Sequence, residues 1–206
     1  MSPVSTAAAG LSTLDCFGRI FDALGFGTIV IGDDWQILHA NRLAVQHVGA
    51  GISVASGRLA ATDPASDRVL QSIIGEHLED GDRTRNALGL SRLERRPLIL
   101  RIVALADEVR PVFEGAKLVA VLVDPEVCPE PSQGLLQQIF GLTRREAHVA
   151  IRLICGLTLH EMAKESGVSV GTIRAQTKAI FAKTGTSRQA ELVGLLTRLA
   201  AISHGT

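Results

Sequence analysis

Disulfide frameworks, metal centres and membrane spans all need residues that this chain has little of. It holds only three cysteines, Cys16, Cys128 and Cys155. They are odd in number and far apart, with no metal-site spacing and no disulfide framework. A reducing cytoplasm is therefore the expected location. No apolar run approaches the roughly 20 residues that a membrane-spanning helix needs, so no membrane partner is expected. Residues 1–12 are rich in Ser and Ala but lack a basic start and a sustained apolar stretch. They read as a flexible tail and not as a signal peptide.

Catalytic signatures are missing as well. There is no HExxH motif and no Cys/His cluster, and the six histidines are scattered. Gly25-Phe26-Gly27 has no third glycine at the offset a phosphate-cradling loop requires. Asp33-Asp34 resembles the acidic start of a phosphorylation receiver. It follows the first strand of a hairpin, however, and no matching acceptor Asp and Lys appear, so it reads as a turn. His39 and His47 are lone histidines, read as structural and not as haem ligands, and no cysteine stands in a flavin-adduct context. The expectation is a non-enzyme with no cofactor and no metal.

What is present is an uneven distribution of charge. The net charge of zero over 206 residues conceals two unlike halves. Residues 1–134 carry 12 Lys+Arg against 17 Asp+Glu, a net −5; residues 135–206 carry 9 against 4, a net +5. Hydrophobic residues make up 46%, enough for two small cores. An acidic front and a basic rear suit a regulatory domain joined to a nucleic-acid-binding one. The expected division is a tail at 1–12, a first domain at 13–124, a linker at 125–134 rich in Pro, and a second domain at 135–206.

In the front half, Leu14, Phe17, Ile20, Phe21 and Leu24 form one apolar stripe of a helix. That stripe suits packing on its own domain and pairing with a second chain equally well. Thr28–Ile31 and Trp35–Leu38 read as a hairpin around Gly32-Asp33-Asp34. A short helix follows from Asn41 through Val48, and Ile52–Thr62 reads as irregular. Asp63-Pro64 is a cap followed by a first-turn proline. It opens a helix to about Leu78 with Val69, Leu70, Ile73, Ile74 and Leu78 inward. Strands are expected around Asn86–Leu93, at Pro97–Leu105 with Leu98, Leu100 and Ile102 on one face, and at Lys117–Val123. This order predicts a mixed antiparallel sheet with helices on one side.

The rear half carries the sharper signals. Thr143 precedes Glu146 by three residues, and Thr158 precedes Glu161 by three, so each pair fits a capping box. Ser169 caps a third helix, and Gly156, Gly167 and Gly185 stand at the helix stops. Only Glu165–Val168 separates the second and third helices, which makes a helix-turn-helix. Thr172, Arg174, Gln176, Thr177 and Lys178 read as exposed on the third helix. None is acidic, as entry into a DNA groove demands. Gln176 suits either bidentate adenine reading or backbone contact. A last helix from Ser187 carries Leu192, Val193, Leu195, Leu196 and Leu199, more apolar surface than a small domain needs.

From Leu142 to Leu196 the chain resembles the LuxR-type four-helix DNA-binding domain. The matching residues are Leu142–Glu146, Gly156-Leu157-Thr158, Glu161-Met162-Ala163, Val168–Arg174 and Ile180–Gly185. The resemblance implies that the helix after Ser169 is the recognition helix, that Thr172 and Lys183 hold phosphates, and that Arg174 contacts DNA near its base edges. With the capping and exposure arguments it gives a candidate DNA-binding set of Thr143, Arg144, Ser169, Thr172, Arg174, Gln176, Lys178 and Lys183. Gln176 departs from the His frequent in that family, and Thr184 from the usual Leu. The front half looks like a PAS-like sensory domain, on Gly27–Ile31, Asp33/Asp34, Ile37, Asn41 and Leu118–Pro125. The expected fold class is α+β, a PAS-like mixed α/β domain followed by an all-α helix-turn-helix domain. The expected partners are double-stranded DNA, a second copy of the chain, and a small-molecule ligand or partner protein at the front domain. Expected dimer contacts are Leu14, Phe17 and Phe21 at the front, with Leu192, Leu195, Leu196 and Leu199 in the last helix, which is a dimer contact in the resembled family.

Overall fold

The computed structural model describes residues 12–79, 85–128 and 130–200. The tail expected at 1–12 lies, but for Ser12, outside the described residues. The chain divides into two compact units, the main boundary falling between Pro125 and Glu126, with Ala23–Gly25 grouped with the second.

The front unit contains α1 (Thr13–Ala23), β1 (Gly27–Gly32), β2 (Ile37–Ala40), α2 (Arg42–Val45), β3 (Ile52–Ala55), β4 (Arg58–Ala61), α3 (Pro64–Leu78), β5 (Ala87–Arg92), β6 (Arg95–Ala104) and β7 (Ala116–Val123). Five strands form one antiparallel sheet in the order β2-β1-β7-β6-β5. Successive strand side chains point to opposite faces, and the burial follows that period. Leu98, Leu100 and Ile102 of β6 are buried while Ile99, Arg101 and Val103 are exposed. On the buried face Ile29, Ile31, Leu118 and Leu122 meet Leu70, Ile73 and Ile74 of α3. Each such side chain is worth about 1.5–3 kcal/mol when fully buried. The α3 cap is as the sequence predicts: Asp63 accepts from the Ser66 amide at 2.7 Å, with Pro64 in the first turn.

Four expectations are corrected. Ile52–Thr62 is not irregular, since β3 and β4 pair as a hairpin around Ser56-Gly57, both at positive φ. The helix after Asn41 is one turn and ends at Val45. Val69 points outward on α3, at 37% exposure. The helices do not share one side of the sheet, because α1 packs through Leu14 and Phe17 against Val30 and Ala116, on the face opposite Ile29 and Ile31.

Asn41 holds this arrangement together. Its Oδ1 accepts from the amides of Thr28 at 2.8 Å and Ala44 at 3.0 Å. Its Nδ2 donates to the carbonyls of Phe26 at 2.8 Å and Gly18 at 3.4 Å. One buried amide side chain thus ties α1, β1 and α2 to one another. Gly18 permits the approach, since a Cβ there would collide with the ring of His39.

The second unit is helical, with α4 (Gln133–Phe140), α5 (Arg144–Ile154), α6 (Leu159–Ser166), α7 (Val170–Thr184) and α8 (Gln189–Ala200). Its core joins Leu136, Leu142, Val149, Leu153, Met162, Ile173, Ile180, Leu192 and Leu196. It begins earlier than the expected linker allows: Pro131 is buried and Ser132 caps α4. A further correction concerns the cysteines. Cys128 and Cys155 form a disulfide with Cα atoms 5.6 Å apart, inside this unit, while Cys16 is free and exposed.

Candidate nucleic-acid interface

Two capping boxes and two left-handed glycine stops position the helix-turn-helix. Thr158 accepts from the Glu161 amide at 3.3 Å while the Glu161 carboxylate accepts from the Thr158 amide at 2.7 Å. At the end of α6, Gly167 adopts φ 64°, a conformation that favours glycine, and the Val168 amide returns to the Ala163 carbonyl at 3.0 Å. Ser169 then caps α7 by accepting from the Thr172 amide at 3.0 Å. Ala163 and Ile173 are buried at the crossing of α6 with α7, so the pair is held rigidly.

The outward side of α7 carries Gly171, Ala175, Lys178 and Ala182, all exposed, at spacings of four, three and four residues. Arg174 borders this strip one turn from Lys178, and Thr172 is exposed at its other border. No acidic residue lies on α7. Gly171, Ala175 and Ala182 have almost no side chain, so the backbone can approach a groove closely. They were absent from the candidate set, although their spacing is visible in the sequence as a stripe of small residues.

Other candidates are placed differently. Gln176 and Thr177 are half-buried, and the Thr177 hydroxyl donates back to the Ile173 carbonyl at 2.9 Å. Gln176 lines a cleft of about 420 Å³ with Arg144, Arg145, His148, Ser166 and Val168. Both arginines are exposed at the start of α5, where the helix dipole disfavours cations and favours an anion. Lys183 is exposed but tied to its own unit: its Nζ lies 2.7 Å from Glu146 Oε2 and donates to the Gly141 carbonyl at 3.0 Å. Its ammonium joins the end of α7 to the α5 cap.

The acidic groups of residues 135–200 are engaged elsewhere. Glu161 and Glu191 accept amide protons at the starts of α6 and α8, and Glu165 pairs with Arg152 at 2.9 Å. Glu146 accepts from the Thr143 amide and from Lys183. The bond from Lys183 is the foremost cause that holds its carboxyl below the ordinary value of 4.5, with the Thr143 amide next. A lowered folded value means that its stabilisation is complete above that ordinary value. It is lost as pH falls through the folded one. Glu146→Gln is expected to cost the helical unit about 1–2 kcal/mol at neutral pH. It should also flatten the loss of stability toward acid, measured as thermal unfolding at a series of pH values.

The expected dimer residues divide into two groups. Leu14, Leu192 and Leu196 are core, at 3%, 0% and 0% exposure, and have no surface to offer a second chain. That corrects their assignment: these three fill the cores of their own units. Phe17, Phe21, Leu195 and Leu199 are half-buried, and Ile20 beside the two phenylalanines is 58% exposed.

Sheet order and helical arrangement together define the class, a PAS-like α+β unit followed by an all-α helix-turn-helix unit. No family model and no curated protein matches the chain. Among solved structures it is similar to a phage VqmA–DPO complex, at 18% identity over 86% of this chain and 83% of that one, TM-score 0.32. It is similar to a Vibrio cholerae VqmA–ligand–DNA complex at 16% identity, 88% and 87% coverage and TM-score 0.37. It is also similar to a Vibrio cholerae VqmA dimer, described with LuxR-type receptors, at 15% identity, 89% and 87% coverage and TM-score 0.32. Such scores leave function to be read from this chain's own surfaces.

Proposed function

We propose that this chain is a cytoplasmic, homodimeric transcription regulator. Its helical unit reads duplex DNA through α7, and its front unit receives the signal. The observation that supports this most is the acid-free outward strip of α7, bordered by Arg174 and Lys178 on a scaffold fixed by capping boxes. Phosphate contacts supply most of the affinity of such a surface, and base-edge contacts supply the discrimination. Arg144 and Arg145 at the start of α5 offer a second site for a phosphate. Phe17, Ile20 and Phe21 of α1 are the front unit's surface for a second copy.

The front unit has an open cleft of about 620 Å³ walled by Gly49–Gly51, Thr62–Pro64, Ser91–Leu93 and Arg95. That cleft supports reception of a small ligand, with a partner protein as the second reading. Fluorescence anisotropy of the full chain with a random-sequence duplex tests the main proposal. Binding in dilute buffer that weakens linearly in log–log form with added salt is expected. No binding in dilute buffer would refute it.

A further inference from the structure

The Cys128–Cys155 bond sits in an unexpected place for a chain of this kind. Proteins that bind DNA inside a cell work where thiols are kept reduced, and disulfides that form there are usually transient and regulatory. This one fastens the segment leaving the front unit to the last turn of α5. Cys155 is the C-cap of that helix, and Cys128 lies just beyond the unit boundary at Pro125/Glu126. Both sulfurs belong to half-buried residues, open to attack by a small thiolate. Glu130 lies beside them, its Oε1 3.5 Å from Cys155 Sγ and 4.0 Å from Arg152 Nη1.

We infer that this pair is a reversible thiol–disulfide clip that sets the length of the tether between the two units, an inference that rests on the DNA-binding reading for its cellular setting. With the bond closed, three residues, 125–127, separate Asp124, which Arg92 holds, from Cys128. With the bond open, six residues, 125–130, separate Asp124 from buried Pro131. The reductant is a low-molecular-weight thiol such as glutathione. Its thiolate attacks one sulfur to form a mixed disulfide, and a second thiol displaces that. Two electrons and two protons pass to the cysteines, and the two small thiols leave as their own disulfide. Local concentration across a tether falls roughly as the −3/2 power of its length, so opening should lower the effective concentration of one unit at the other about three-fold.

The full chain carrying Cys16→Ser tests this in glutathione buffers from fully reduced to fully oxidised. Alkylation and mass spectrometry should show Cys128 and Cys155 converting together between disulfide and thiol. A glutamate-specific protease should cleave after Glu126 about ten-fold faster in the reduced protein, because a released segment opens locally more often. Cys128→Ser with Cys155→Ser should be cleaved at the fast rate in every buffer. The clip is overturned if the pair stays in one state throughout, or if cleavage is equal in both states. It is also overturned if zinc ions added to the reduced chain bind Cys128, Glu130 and Cys155 and restore slow cleavage. A random-sequence duplex added to both forms separates this from the DNA reading. Redox-dependent cleavage without any duplex binding retains the clip and refutes the DNA reading, while duplex binding with redox-independent cleavage does the opposite.

Discussion

Asp124→Asn is expected to destabilise the front unit by about 3–5 kcal/mol, the usual cost of breaking a buried ion pair from one side. The Asp124 side chain is 4% exposed and that of Arg92 is 2%. Two guanidinium hydrogens reach the carboxylate, Nη1 to Oδ2 at 2.7 Å and Nη2 to Oδ1 at 2.8 Å, in the planar fork that suits arginine and carboxylate. Arg95 adds a third contact at 3.3 Å, and Arg92 Nε donates to the Arg96 carbonyl at 2.7 Å. The pair clasps the β5–β6 turn to the end of β7. Asparagine preserves the shape but turns an NH₂ toward one of the donors and removes the negative charge that faces a buried cation. His47 already feels that field: burial first, and then Arg92 and Arg95, hold its imidazole below the ordinary value, against the opposing pull of Asp124.

The chain's one tryptophan allows a clean measurement. Trp35 packs against the front core, so its fluorescence in a denaturant titration follows the front unit and not the helical one. The double variant Arg92→Met with Asp124→Leu should be more stable than either single change, since it removes both buried charges together. A cost near zero for Asp124→Asn would show that water reaches the pair.

What could be read from the amino-acid order follows the range of the interactions. Both capping boxes, the Asp63-Pro64 helix start, the Ser169 cap and the alternation of β6 rest on residues two to four apart, and each stands where it was expected. The Arg92–Asp124 clasp joins residues 32 apart, and Lys183 and Glu146 are 37 apart, so no local pattern marks either. The hairpin of β3 and β4 was missed because small residues such as Ser53, Ala55, Ala60 and Ala61 blur the alternation that announces a strand. On α8 the leucine spacing shows a stripe but not what covers it. Burial in its own core and contact with another chain give the same sequence pattern. The disulfide was missed for a related reason: counting cysteines says nothing about which helices bring them together.

Arg174→Ala is expected to weaken binding to a preferred duplex about 5- to 150-fold, the roughly 1–3 kcal/mol of a base-edge contact, and to leave unfolding unchanged. Arg174 is exposed at the border of the α7 strip, so its loss removes no packing. Lys178→Ala should weaken all duplexes alike and lower the slope of log affinity against log salt by about one, the signature of a lost phosphate contact. Lys183→Ala is the discriminating comparison. The resemblance to LuxR-type domains assigns Lys183 a phosphate, whereas its ammonium here bonds Glu146 and Gly141. Should that internal role be its only one, the variant will lower the melting temperature and keep the salt slope of the parent. A slope lowered by about one, with melting unchanged, would instead mean that Lys183 leaves Glu146 for DNA when the complex forms. Measured together at one set of salt concentrations, the three variants separate base reading, backbone attraction and scaffold support along a single helix.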